Sequence, residues 1–67
     1  MEVCKIGDTN KWGDVLRREN DPVQLWETRR GYFLVDLWVT EYDALHIVRK
    51  YRQDADKIFD NVSDMLK

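Results

Sequence analysis

The chain has 67 residues, enough for one small domain that buries only about 60% of the surface its unfolded state exposes. With 43% apolar and 36% charged residues it has an ordinary globular composition, which excludes disorder and low-complexity repeats. Its single cysteine, Cys4, excludes an intramolecular disulfide, and a net charge of −2 excludes a general polyanion binder and a nucleic-acid mimic alike.

The first residues show no basic stretch leading into an apolar run, and no segment approaches the ~20 apolar residues of a membrane span. The expectation is a soluble, cytoplasmic protein with no membrane contact. Glu2-Val3-Cys4-Lys5-Ile6 reads as a short strand, and Cys4 as a small buried hydrophobe.

Between Asn10 and Asn20, Trp12, Val15 and Leu16 stand at i, i+3, i+4, the spacing of a short helix. Gly13 weakens that helix, and a strand through Val15-Leu16-Arg17 is the alternative. The same stretch places Asp8, Asn10, Gly13 and Glu19 where an EF-hand loop has its first, third, sixth and twelfth positions. Trp12 stands at the fifth, where calcium requires an oxygen ligand, so the match reads as chance and no metal or other cofactor is expected.

Asn20-Asp21-Pro22 marks a turn. After it, Val23–Thr28 and Tyr32–Val39 are rich in β-branched and aromatic residues and are separated by Arg29-Arg30-Gly31, the pattern of a β-hairpin. Gly31 belongs at the left-handed position of such a loop, where lacking a Cβ removes the steric cost. This loop pairs Glu27 with Phe33, Trp26 with Leu34, Leu25 with Val35, Gln24 with Asp36 and Val23 with Leu37. Parity then sorts the side chains. Val23, Leu25, Phe33, Val35, Leu37 and Val39 form a core face, while Trp26, Tyr32, Leu34 and Trp38 share the opposite one with Gln24, Thr28 and Asp36. The second face is too aromatic to meet only water, and Trp12, Val15 and Leu16 are the nearest candidates to cover it.

The twelve residues Leu25–Asp36 resemble the first hairpin of a WW domain. The third strand with its second Trp and closing Pro is absent, and no ligand-binding role follows from the resemblance.

From Thr40 the spacing changes. Ala44, Val48, Tyr51, Ala55, Ile58, Val62 and Met65 alternate by four and three, with Leu45, Phe59 and Leu66 beside them, which predicts a helix over 41–66. Thr40 with Asp43 resembles a capping box; a break near residues 53–56, with Asp54 capping a second helix, is the alternative. The fold expected is therefore α+β: a small antiparallel sheet built on the 23–39 hairpin, with or without an N-terminal strand, packed on a long C-terminal helix.

A helix over 41–66 spans about 39 Å, whereas an eight-residue strand spans about 26 Å. The helix should overhang the sheet and expose Ile58, Phe59, Val62, Met65 and Leu66, an apolar stripe suited to a homodimer or another partner. The other candidate interface is Trp26, Tyr32, Leu34 and Trp38, because Trp, Tyr and Arg dominate interaction hot spots.

His46, with Asp43 one helical turn away, is a solvated surface pair on this reading, and no catalytic function is expected. Asp56, Asp60 and Asp64 form a carboxylate row on the helix, read as a solvated face. Arg17, Arg18, Arg29, Arg30, Arg49, Lys50 and Arg52 are the candidate nucleic-acid contacts, but acids are interleaved with them and no basic half emerges. The functional expectation is a non-enzymatic protein-binding domain, homodimeric, acting as an adaptor or inhibitor that masks a partner surface. A virus or mobile element is a natural source of such short chains. The alternative is a small nucleic-acid-binding regulator using the Arg groups and aromatic rings.

Overall fold

The computed structural model describes residues 5–66. Five elements follow one another: β1 (Val15–Asn20), β2 (Val23–Glu27), β3 (Phe33–Trp38), β4 (Ala44–Arg49) and α1 (Arg52–Met65). The strands form one antiparallel sheet in the order β1-β2-β3-β4, and α1 lies across one face of it. The architecture is the α+β arrangement expected, with two more strands and a shorter helix.

The central hairpin has the register derived from its loop. Glu27 pairs with Phe33, Trp26 with Leu34, Leu25 with Val35, Gln24 with Asp36 and Val23 with Leu37. Gly31 has φ +90°, the left-handed conformation that the turn requires. Thr28 closes the loop by donating its N–H to the Tyr32 carbonyl at 2.7 Å and accepting the Tyr32 N–H on its hydroxyl at 2.9 Å.

The core lies where parity placed it. Val23, Leu25 and Val35 are fully buried beneath Ala55 and Phe59 of α1, with Phe33, Leu37, Ile47, Ile58 and Val62 packed around them. Val39 does not belong to this set; it lies past the last registered pair and is exposed.

Residues 41–51 are not helical, which corrects the long-helix expectation. Apolar residues at 44, 45, 47 and 48 fit a helical stripe, but they fit an edge strand equally well. The outer backbone groups of β3 need partners, and a strand supplies them where a helix cannot. The Thr40–Asp43 pattern does act as a local cap, but of a turn. The Thr40 hydroxyl accepts the N–H groups of Tyr42 and Asp43 at 3.1 and 3.0 Å, while the Asp43 carbonyl accepts those of Val39 and Thr40. The chain thus reverses into β4, which pairs Val35 with Ile47 and Leu37 with Leu45.

α1 starts at Arg52, with Tyr51 at the cap position and no side-chain cap; Asp54 sits inside the first turn, so it does not cap a second helix. Fourteen residues span about 21 Å, close to the ~20 Å of a six-residue strand. There is no overhang.

The short helix expected around Trp12, Val15 and Leu16 is also replaced by strand. Val15 and Leu16 belong to β1, which joins β2 across Asp21-Pro22, with a bulge between Leu16 and Arg18. Before it, residues 7–14 fold back along the outer edge of β1. Gly7 donates to the Leu16 carbonyl at 2.7 Å, Leu16 donates to Asp8 at 2.9 Å, and Thr9 bridges Val15. The N-terminal strand expected over 2–6 falls largely outside the described residues, as does Cys4; Lys5 and Ile6 are exposed and not in a strand.

Candidate functional site

The bulge in β1 has a consequence for side-chain direction. Leu16 stands opposite Trp26 on the face away from α1, whereas Arg18 stands opposite Leu25 and reaches the helix. There its guanidinium donates to Asp56 at 3.2 Å and Asp60 at 2.8 Å and lies 4.3 Å from the Phe59 ring centre. Burial would lower its pKa, but the hydrogen bonds and charges of Asp60 and Asp56 outweigh that and hold it above the ordinary value.

The face away from α1 carries the aromatic residues, but they do not act together. Trp26 is 6% exposed, packed in the ladder between Leu16 and Leu34. Both its indole N–H and that of Trp38 end on one acceptor, the buried Gln24 Oε1, at 3.2 and 3.0 Å. Gln24 is therefore the residue that orders two of the three tryptophans. Of the four residues expected to form a binding face, Trp26 is structural, Trp38 is half-buried and tied to Gln24, and Tyr32 and Leu34 remain available.

These two line a groove of about 680 Å³ together with Trp12, Val48, Arg29, Arg30, Asp14 and Thr28. The pairing of β4 with β3 puts Val48 beside Leu34. Trp12 arrives from the 7–14 segment, where the Asn10 side-chain oxygen accepts the N–H groups of Trp12 and Asp14, both at 3.0 Å. This Asx turn explains the resemblance to a calcium loop: Asn10 holds backbone, and Asp8 accepts the Lys5 N–H at 2.8 Å. Gly13, at φ +86°, lets the Arg29 side chain pass where a Cβ would stand 3.3 Å from its Cδ. Trp12 is 68% exposed and carries the Lys11 ammonium 4.5 Å from its ring centre, so it is Leu16, fully buried opposite Trp26, and not Trp12 that covers this part of the hairpin face. Its side chain and Val48 were not legible as site residues, because both reach the groove through pairings outside the hairpin.

The candidate cations separate into two groups. Arg17 pairs with Glu27 at 3.0 Å, Arg18 with Asp56 and Asp60, and Arg52 with Asp56 at 3.6 Å. Arg49 donates to the Val48 carbonyl at 2.7 Å, and Lys50 lies 5.7 Å from the Tyr51 ring centre. Arg29 and Arg30 are exposed at the groove and form no ion pair among the described residues.

The helix surface is divided as well. Phe59 is 3% exposed and Ile58 and Val62 pack on the core, so these three serve the chain's own fold; only Met65 and Leu66 project into solvent.

His46 is not beside Asp43 in the way a helix would place it. Strand pairing sets it opposite Asp36, with Nδ1 at 2.7 Å from Oδ1. Asp36 is buried, and that desolvation raises its pKa above 3.8, against the lowering by the His46 hydrogen bond and charge and with a small addition from Asp14. Asp36 is the hydrogen-bond partner of this imidazole among the described residues, and no three potential metal ligands converge among them. No described helix is long and apolar enough to cross a membrane. Comparison of the chain with known protein families, curated proteins and solved structures finds no match.

Proposed function

We propose that the protein is a non-enzymatic binding domain whose groove receives a segment of another protein, an apolar or aromatic side chain flanked by carboxylates. One observation carries this reading: two exposed rings, Trp12 and Tyr32, stand beside two guanidinium groups that form no ion pair among the described residues. Trp, Tyr and Arg are the residue types that concentrate binding energy at interfaces, and Leu34 and Val48 supply apolar surface between them. Occupying a partner surface in the cytoplasm, as an adaptor or an inhibitor, is the action such a domain performs.

The test is selection from a displayed library of random peptides. Wild-type protein is expected to enrich peptides with Trp, Phe or Leu next to Asp or Glu. Trp12→Ala with Tyr32→Ala, and separately Arg29→Glu with Arg30→Glu, should lose them. Enrichment that survives both double variants places binding elsewhere and sinks the proposal.

A second reading uses the same groove for single-stranded nucleic acid, with bases stacked on Trp12 and Tyr32 and phosphates on Arg29 and Arg30. Salt separates the two. Affinity for an oligothymidylate that falls steeply with salt favours nucleic acid, whereas binding of a selected peptide through its apolar anchor responds weakly.

A further inference from the structure

The two edges of the sheet differ. The first two residues of the β1 edge, Val15 and Leu16, are covered by the 7–14 segment, through the hydrogen bonds of Gly7 and Asp8 with Leu16 and the bridge of Thr9 to Val15. The β4 edge has no such cover among the described residues, and it carries no proline and no bulge. The directions of N–H and C=O alternate along a strand. The Asp43 carbonyl points at β3, where it accepts the Val39 N–H, so the backbone groups of Leu45 and Ile47 also point inward and those of Ala44, His46 and Val48 point out. The side chain of Arg49 bears this out by turning back to the Val48 carbonyl at 2.7 Å, which leaves that oxygen without a strand partner.

Charge is distributed along this edge in a self-complementary way. Glu41 and Asp43 precede the strand, while Arg49 and Lys50 end it. An antiparallel copy sets acid against base at both ends, whereas a parallel copy sets like against like. Around them Leu45 is 59% and Val48 53% exposed, more apolar surface than a guarded edge strand shows.

We infer that the β4 edge pairs antiparallel with β4 of a second copy of this chain, joining two four-stranded sheets into one of eight about a two-fold axis at His46. An axis relating antiparallel neighbours stands perpendicular to the sheet, so residues facing each other lie on the same face. Centred on His46, the register sets Asp43 against Arg49, Leu45 against Ile47 and Ala44 against Val48, each twice. The Arg49 guanidinium then exchanges the Val48 carbonyl of its own chain for the carboxylate of the other. Both helices stay on one side and both grooves open on the other, giving a bivalent surface. The pairing stands independently of what the grooves bind.

The experiment is molar mass by light scattering behind size exclusion, from micromolar to millimolar protein, with circular dichroism to confirm folding. Wild type is expected to reach twice the 8.1 kDa of the chain. Asp43→Arg alone and Arg49→Asp alone each oppose like charges twice and should weaken the dimer about tenfold or more, while an equimolar mixture of the two variants restores it as a heterodimer. Val48→Pro removes an outward N–H that no bond among the described residues uses, so it should fold and remain monomeric even if Asp43→Arg disturbs the Thr40 turn. A wild-type monomer at every concentration overturns the inference. So does a dimer that persists in Val48→Pro, or a mixture of charge variants that fails to recover it while both are folded.

Discussion

Gln24 is the polar residue on which the aromatic side of the sheet depends. It is buried, and its single carbonyl oxygen satisfies two indole N–H groups. Gln24→Leu preserves the apolar contacts and leaves the Trp26 donor unpaired in the interior, at a cost of about 2 kcal/mol. Urea denaturation followed by tryptophan emission measures this, and the native spectrum should shift as Trp38 loosens. Asp36 presents the opposite case, a carboxyl whose environment opposes its charge. Its raised pKa means that the native state holds the proton more tightly than the unfolded chain does. Stability therefore falls, on account of this residue, as pH rises through the interval just above 3.8. Asp36→Asn removes that dependence, so the stability of the variant relative to wild type should climb as pH rises above 3.8. Denaturant midpoints of the two proteins across this range decide it; parallel curves would refute the assignment. Both roles were invisible in the sequence, where Gln24 and Asp36 read only as polar members of an outward face.

Among the elements, the hairpin was legible except at Val39, which is exposed, and β4 was not. The hairpin is a local structure: its loop chemistry, its parity and its register all lie within residues 23–39. β4 answers to the unpaired edge of β3, a demand that no pattern within 44–49 expresses, and its apolar spacing satisfied the helical period as well. The same holds for β1, whose bulge turns Arg18 to the helix. That residue links the first strand to the last element through Asp56, Asp60 and the Phe59 ring. The carboxylate row on the helix, which read as a solvated face, is thus partly a docking site for β1. Arg18→Ala is expected to lower stability by about 1–2 kcal/mol, the modest value reflecting its partial exposure. Arg18→Met, which keeps the contact with Phe59, should recover part of the loss in thermal unfolding. A loss confined to high salt would contradict an ionic contribution.

For the whole molecule, the main core lies between one face of the sheet and the helix, and Leu16 and Trp26 are buried on the other face. A domain of this size has a stability of about 3–10 kcal/mol, and truncating a fully buried leucine removes about 2–5. Leu25→Ala is therefore expected to leave a large unfolded fraction at room temperature, measurable by far-ultraviolet circular dichroism. Met65→Ser, at a position 82% exposed, should change stability by less than about 0.5 kcal/mol. The contrast separates residues that hold the domain together from those the helix leaves in water.

The sequence by itself determined what depends on neighbours along the chain. The left-handed glycine of the hairpin, its register, the core face of β2 and β3 and the apolar face of the last helix from Ala55 to Val62 all follow from steric rules and from the period of the side chains. Tertiary structure decided whether residues 15–20 and 44–49 are strand or helix, because the sheet satisfies backbone groups between segments far apart in sequence. It also decided which aromatic residues are free. Trp26 is enclosed by Leu16 and Leu34, while Trp12 is carried out to a groove with Tyr32, Arg29 and Arg30, an assembly contributed by the 7–14 segment, the hairpin and β4 together.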